Sequence, residues 1–331
     1  METYSKLPVV DFASFRTGSA EDRKRIALEV DDALRTAGFF YLRNHGIPRP
    51  KIQDLFEKSK QFFNLPKCVK EKLAPTPKSL EQGYFGQEKE IVRGQKSLKE
   101  SFDFANPDDS SNSWPAEASV PGFRESAVDV HQNCSKLISE LLECLSIALQ
   151  LSSMDSLGQH HSGSMFVSSL LHYPSVATRM LRSGESTRNP AHSDLSTLTL
   201  LFQQDVGGLQ IADMTSTDKT TSAAVNKSAT FLNVEPRSDL VLVNAGYLLM
   251  RWTNGRWKSV VHRVSFDCGK SMEGQSPKSV PERHSIAFFS FPDAETSVEP
   301  LGTCCTNEVP KKWGPLNAGE YLRRKRGALY P

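Results

Sequence analysis

Apolar and polar positions give the chain two textures that change near residue 164. Before that point the spacing is mostly helical. In "SAEDRKRIALEVDDALRTAG", Ile26, Val30, Ala33, Leu34 and Ala37 form one apolar stripe, Ser19 can cap with Asp22 three residues on, and Gly38 stops the run. A second helix is predicted over about 51–64, closed by "LPK". A long one spans about 128–151, with Cys134, Leu137, Leu141, Leu142, Leu145 and Leu149 on one face. Short strands are predicted at "KLPVVDF" and at "FFYLRNHGI", which turns at Gly46. Residues 76–125, rich in Pro, Ser, Gly and Asp, read mostly as loop, with a short strand at "ESFDFA".

After residue 164 strand-like runs follow closely: "MFVSSLLHYP", "STLTLLFQ", "GLQIAD", "ATFLNVEP", "LVLVNAGYLLMRWTNG", "WKSVVHRVSF" and "HSIAFFSFP". Short strands separated by turn residues predict a sandwich or barrel, jelly rolls included. "DMTSTDKTTSAAVNKS" and "DCGKSMEGQSPKSVPE" lack periodicity and read as exposed insertion loops. The basic segment "NAGEYLRRKRGALY" reads as a terminal helix within 314–331, its cations favoured by the helix dipole. The expected class is α+β, in a single domain over 1–331. A mainly helical part (1–160) backs a β core (165–300).

Composition narrows the function. With 331 residues and a net charge of +2, charge alone does not call for a nucleic-acid partner. No apolar run approaches the roughly 18 residues of a membrane helix. The N-terminus lacks the apolar core of a secretory signal. Six cysteines without a C-x-x-C pair suggest neither a zinc ribbon nor a disulfide framework. A monomer in the reducing cytoplasm, acting on a small molecule, is the expectation.

The chemistry starts at "NPAHSDLSTLTLLFQQDVGGLQ", which places His192 and Asp194 two residues apart. In a strand, i and i+2 share a face, so these two side chains converge. Alone, an H-x-D is more often a hydrogen-bonded polar pair than half a metal site. A third ligand has to come from His45, His131, His160, His161, His172, His262 or His284. His262 lies mid-strand, downstream of the pair. Two imidazoles with one carboxylate form the facial triad that holds non-haem iron(II) and leaves coordination positions open. Further on, "PERHSIAFF" puts Arg283 and Ser285 on one face, a guanidinium fork beside a hydroxyl, suited to a carboxylate. "LLHYP" places Tyr173 directly before a proline. Its neighbour His172 points the other way and reads as structural.

In this order, "LPVVDF", "GFFYLRNHGI", "FFNLPK", "ESFDF", "WPAE", "PGF", "LLHYP", H-x-D, "LVLVNAGYLLMRWTNGRWKSVVHRV" and R-x-S resemble the isopenicillin-N-synthase-like family of iron(II)/2-oxoglutarate-dependent dioxygenases along nearly the whole chain. The resemblance implies a double-stranded β-helix (jelly-roll) core, and Fe(II), 2-oxoglutarate and O2 as cofactor and co-substrates. It implies His192, Asp194 and His262 as iron ligands and Arg283 with Ser285 at the C5 carboxylate of 2-oxoglutarate. Tyr173 is expected at the C1 end. The implied reaction releases succinate and CO2 and oxidises an unactivated C–H bond, most often by hydroxylation.

Within the family the texture is similar to a fungal, thymine-hydroxylase-like branch, with two departures. Ser169 stands where a nucleobase enzyme of that branch has an arginine, and Leu195 where it has a tyrosine. Phe289 remains as an aromatic wall. Those exchanges favour a saturated ring or aliphatic chain over a flat base, with specialised metabolism as the setting. Open alternatives are a free amino- or imino-acid hydroxylase, an oxidase of the same fold that needs no 2-oxoglutarate, and a non-catalytic jelly-roll binding module. Arg179, Arg251 and the terminal basic residues are candidate cations for an acidic substrate.

Overall fold

The computed structural model describes residues 7–326 apart from 76–81, 88, 90, 93–94, 108, 110–111, 155, 183–185 and 266–277. The segment "DCGKSMEGQSPKSVPE" and the end of the C-terminal run therefore lie largely outside the described residues.

The strands that frame the site are β1 (Val9–Asp11), β2 (Phe39–Arg43), β3 (Gly83–Phe85), β4 (Glu100–Phe104), β5 (Val167–Tyr173) and β6 (Asn189–His192). They continue with β7 (Leu198–Gln203), β8 (Leu209–Ala212), β9 (Phe231–Asn233), β10 (Val241–Ala245), β11 (His262–Val264) and β12 (Arg283–Ser290). Eight of them form one sheet in the order β1-β2-β10-β7-β12-β5-β4-β3, and four form a second in the order β6-β11-β8-β9. From β5 to β12 the chain passes back and forth between the sheets, which is the jelly-roll winding.

Alternation along the strands separates two apolar layers. Leu170, Ile286, Phe288, Leu198, Leu200, Phe202, Val241 and Val243 face outward and pack beneath the helices. Leu171, Tyr173, Ala287, Leu242, Tyr41 and Phe39 face inward, toward Ile211 and Val264 of the second sheet. A strand buried on both faces reads as a continuous apolar run, as "LVLV" and "LTLLF" do.

The helical layer consists chiefly of α1 (Ala20–Thr36), α2 (Arg49–Phe63) and α3 (Phe123–Ala148). Helix α1 starts at the anticipated capping box, in which Ser19 and Asp22 bond each other's backbone. It ends against Gly38, whose φ of 71° only glycine adopts without strain. Asp31 of α1 is buried and accepts from Arg256 Nε (2.9 Å) and Nη2 (2.8 Å) and from Trp257 Nε1 (2.8 Å). That network fixes the turn leading into β11.

Several expectations need correction. Helix α3 begins five residues before the predicted start, because Gly122 (φ 72°) makes a left-handed entry and Phe123 and Ala127 already face the core. Before residue 160, β1, β2 and β4 lie where strands are predicted, and with the unpredicted β3 they make half of the larger sheet. Strand β3 falls in a stretch whose Gly and Gln content masks "GYF". "LVLVNAGYLLMRWTNG" is a strand only to Ala245, after which Tyr247–Trp252 is helical. The first insertion segment contains the helix Ser222–Ser228, capped by Thr221 and anchored by fully buried Val225. Ala318–Arg326 is helical, within the predicted terminal segment. No helix among the described residues is long and apolar enough to cross a membrane.

Candidate active site

His192 ends β6 and His262 begins β11, and the two are directly paired across the smaller sheet. Their ring centroids stand 4.3 Å apart. Asp194 is not on the strand. It lies two residues past the end of β6, so a turn, rather than strand alternation, brings its carboxylate to the imidazoles. Its Oδ1 is 3.6 Å from His192 Nε2 and 3.5 Å from His262 Nε2. One donor atom from each of the three falls within 4.8 Å of the others.

Each donor is held in its ligating form. His192 Nδ1 is 2.8 Å from the Pro190 carbonyl and His262 Nδ1 is 3.1 Å from that of Val260. A carbonyl can only accept, so each Nδ1 carries the proton and each Nε2 presents a lone pair. Asp194 Oδ2 accepts from Thr199 Oγ1 and Asn244 Nδ2, both at 2.8 Å, which leaves Oδ1 for the metal. Burial would raise the Asp194 pKa, yet the two imidazoles and these hydrogen bonds hold it below the usual carboxylate value. Burial, with His262 alongside, pushes His192 down to about 4, so it is neutral at physiological pH.

Backbone packing sets the Asp194 turn. Gly246 N–H donates to the Thr197 carbonyl (2.9 Å) and Tyr247 N–H to that of Asp194 (2.8 Å). A Cβ on Gly246 would sit 2.0 Å from the Ser196 carbonyl oxygen, so only glycine permits this approach. His161 backs the same turn, its Nε2 lying 2.9 Å from Thr197 Oγ1.

The larger sheet supplies a second group of polar side chains. Across β12, β5 and β4 the register pairs Arg283 with Tyr173, Ser285 with Leu171 and Ser101, and Ala287 with Ser169 and Asp103. These residues share the inward face. Arg283 is almost wholly buried. Its Nη1 donates to Ser285 Oγ (3.1 Å), its Nη2 to Gln203 Oε1 (3.0 Å), and its Nε has no partner. No carboxylate among the described residues neutralises it, and burial pushes its pKa down. A buried cation with a free donor edge is a site for an anion.

The Tyr173 ring lies beside the Arg283 guanidinium, with 4.9 Å between Cζ and centroid. A second buried cation, Arg188, lies 5.5 Å from the centroid of the same ring and donates to the carbonyls of Tyr173 (2.8 Å) and Pro281 (2.9 Å). Burial first, then Arg283 beside it, lowers Arg188 to about 10.

Leu195 and Phe289 are both half-buried at the edge of the core, and Ser169 is buried with its hydroxyl donating to Asp103 Oδ1. Arg251 donates to the Gly314 carbonyl and to Tyr247 Oη, tying down the chain near the C-terminus. Arg179 is exposed.

A jelly roll with two imidazoles on its smaller sheet, a carboxylate on the adjoining turn and a buried guanidinium on its larger sheet defines a class of metal-dependent oxygenase. Comparison with known proteins names it. Residues 7–118 match the N-terminal model described as non-haem dioxygenase in morphine synthesis, and residues 161–292 match the 2OG-Fe(II) oxygenase superfamily. The chain is 33% identical to the 2-oxoglutarate-dependent dioxygenase frbA of Dothideomycetidae sp. (strain 11243), over 98% of this chain and 97% of the relative. It is 33% identical to the proline hydroxylase buaE of Petromyces alliaceus, over 94% and 96%. Among solved structures, a full-length Neurospora crassa protein in complex with alpha-KG and thymine superposes with a TM-score of 0.85 at 28% identity, covering 98% of this chain and 97% of that one. The chain belongs to the 2OG-Fe(II) oxygenase superfamily. It is a 2-oxoglutarate-dependent dioxygenase that uses Fe(II), 2-oxoglutarate and O2 to oxidise a small molecule.

Proposed function

We propose that His192, Asp194 and His262 hold the iron, and that Arg283 and Ser285 beside Tyr173 grip the C5 carboxylate of 2-oxoglutarate. The observation that carries this is the convergence of three lone-pair donors within 4.8 Å, facing a buried guanidinium without a counter-charge among the described residues. Iron held there would supply the redox chemistry that couples oxidative decarboxylation of 2-oxoglutarate to oxidation of a C–H bond. The chain does the rest. His192 and His262 keep their Nε2 lone pairs exposed because their Nδ1 protons are committed to carbonyls. Arg283 fixes the co-substrate at its far end, and Leu171, Ala287 and Leu242 exclude water from the face between.

The substrate is an aliphatic, non-planar molecule of fungal specialised metabolism, hydroxylated at an unactivated carbon. Leu195 and Phe289 support an apolar seat, and Ser169 with Asp103 adds a polar point on the inner wall. A cyclic imino acid combines these properties, and the relative named proline hydroxylase is consistent with it. We read the chain as a single dioxygenase domain, since segments before and after residue 160 share one sheet. It acts as a cytoplasmic monomer with no nucleic-acid or membrane partner. The described cysteines are all free thiols, and large exposed apolar side chains are few among the described residues.

The test is an anaerobic substrate screen on the Fe(II)–2-oxoglutarate complex, followed by succinate assay in air. Cyclic imino acids should perturb the metal-to-co-substrate charge-transfer band and drive succinate formation, and thymine should do neither. Efficient thymine turnover sinks the substrate assignment. Substrate oxidation without succinate sinks the co-substrate role of Arg283 and Ser285 and favours the oxidase alternative.

A further inference from the structure

The residues next to Arg283 and Tyr173 form a second cluster on the opposite face of the same strands. His284 and His172 are cross-strand partners on β12 and β5. Their rings stack with centroids 4.5 Å apart and an interplanar angle of 13°. Phe63 of α2 covers them, at 5.3 Å from His172 and 6.3 Å from His284. Glu282 completes the group: its Oε2 lies 3.6 Å from His172 Nε2 and its Oε1 3.5 Å from His284 Nε2. As in the inner cluster, one donor atom from each residue falls within 4.8 Å of the others.

The protonation pattern follows from what lies behind His172. Its Nδ1 is 2.7 Å from Glu100 Oε1. Glu100 is a buried carboxylate that also takes Lys70 Nζ at 2.8 Å and the Tyr84 hydroxyl. Burial would raise its pKa, but the hydrogen bonds from His172, Lys70 and Tyr84 hold it below the ordinary value, so Glu100 is an acceptor. His172 Nδ1 therefore carries the proton and Nε2 a lone pair, the carboxylate–histidine arrangement that backs a metal ligand. That Nε2 is buried with no hydrogen-bond partner, and neither nitrogen of His284 has one. Both histidines are buried, with 10% of the His172 side chain and 6% of the His284 side chain exposed. Unpartnered imidazole nitrogens beside a carboxylate oxygen, all within 4.8 Å of one another, are donors that a cation would satisfy.

We propose that His172, His284 and Glu282 form a second metal site, for a borderline divalent ion such as Zn²⁺, on the outer face of the larger sheet. Donors around a tetrahedral zinc at about 2.0–2.2 Å stand roughly 3.3–3.5 Å apart, close to the 3.5 and 3.6 Å between Glu282 and the two histidines, and a turn of the stacked rings would bring both nitrogens onto the ion. A bridging proton fits less well. The contacts are longer than hydrogen bonds, and burial, with His172 alongside, pushes the His284 pKa down to about 4, which leaves that ring neutral at pH 7. Glu282, 46% exposed, gives the ion a way in. Bound there, it would clamp the strand ends that present Arg283 and Tyr173 to the interior.

Equilibrium dialysis of the full chain against Zn²⁺, read by elemental analysis, tests this. Wild type should retain two ions per chain, and one after Glu282→Gln, a half-exposed substitution that leaves the core untouched. In a His192→Ala/His262→Ala background one ion should remain, and adding Glu282→Gln or His284→Asn should weaken it at least tenfold. With Co²⁺ as probe, that same background should show the visible absorption of a low-coordinate N/O site. The proposal is overturned if the background retains no Zn²⁺ at micromolar concentrations, or if retention is the same with and without Glu282→Gln and His284→Asn.

Discussion

Two clusters of two histidines and one carboxylate lie on opposite faces of this jelly roll, with similar donor spacings and different support. In the inner one every donor is fixed from behind: His192 by Pro190, His262 by Val260, and Asp194 by Thr199, Asn244 and the Gly246–Tyr247 backbone. In the outer one only His172 is fixed, by Glu100, while His284 has no hydrogen-bond partner and Glu282 is half-exposed. Ligand type and spacing are thus shared, and orientation separates them. Outer partners set ring tautomer and ligand basicity, and their loss costs roughly 10–100-fold in metal affinity or activity. The inner cluster should bind its metal far more tightly and hold a geometry with open positions. It also faces a buried guanidinium, whereas the outer one faces the ring of Phe63.

The largest effects should come from removing inner donors. His192→Ala, Asp194→Ala and His262→Ala should each reduce succinate formation to background while far-UV circular dichroism stays native. Retained coupled turnover in any of them removes that residue from the ligand set. Arg283→Leu comes next. Losing a charge-assisted partner of a buried carboxylate costs roughly 2–5 kcal/mol, so the KM for 2-oxoglutarate should rise steeply. Arg283→Lys should recover only part of it, since an ammonium cannot reproduce the fork. An unchanged KM in Arg283→Leu would mean that the carboxylate is held elsewhere.

A smaller change tests whether support from behind is what separates the clusters. Asn244→Ala removes one of two donors to Asp194 Oδ2 without touching a ligand atom. Iron affinity should fall roughly 10–100-fold, and excess Fe(II) should restore most of the turnover. Loss that no iron concentration rescues would show that Asn244 acts on something other than ligand orientation.

The His192–Asp194 and Arg283–Ser285 pairs are legible in the sequence because each is local and its spacing has a direct geometric meaning, whereas His262, 68 positions past Asp194, stands out among seven histidines only through the family resemblance. Only the reason for the Asp194 approach differs, since a turn and not strand alternation makes it. The residues that escape notice act across distance. Asn244, fifty positions from Asp194, is one polar residue inside an apolar strand. Arg188 reads as a loop cation until β5 and β12 bring Tyr173 and Arg283 beside it. The outer cluster shows the same limit. His172 and His284 are 112 positions apart, and only the β5–β12 register, which no local pattern specifies, stacks their rings. The strands themselves are plain where apolar runs are long and hidden where they are brief, as at Gly83–Phe85. The helix Tyr247–Trp252 is lost inside a run whose composition suits a strand equally well.

Acid should expose a further difference in backing. His161 and His131 are buried, and burial holds each at about 4, below the roughly 6.5 of an unfolded histidine. Between those values the unfolded chain binds more protons than the folded one. Stability is therefore complete above about pH 6.5 and is lost as pH falls toward 4, by about 1.4 kcal/mol per pH unit for each. Urea unfolding of the metal-free protein at pH 7 and pH 5 should show this slope. His161→Asn should reduce it by about one proton. An identical slope in that variant would place the acid sensitivity elsewhere.

The smallest expected effect concerns the inner wall, where this chain departs from the thymine-hydroxylase-like pattern. Ser169, held by Asp103, and Leu195, beside Asp194, replace an arginine and a tyrosine that would hydrogen-bond and stack a flat base. Wild type should therefore leave thymine unconverted. Ser169→Arg with Leu195→Tyr returns both groups to the face that already carries Phe289. Asp103 would then pair with the new guanidinium instead of the Ser169 hydroxyl, since the two positions are cross-strand neighbours. A single stacking contact contributes about 0.5–1.5 kcal/mol beyond its buried area, so weak thymine binding is the realistic gain, not efficient turnover. Thymine should perturb the Fe(II)–2-oxoglutarate spectrum of the double variant and not that of wild type, and should compete with the native substrate at millimolar concentration. If wild type responds as strongly as the variant, neither position selects against a base, and the aliphatic seat formed by Leu195 and Phe289 loses its role in choosing the substrate.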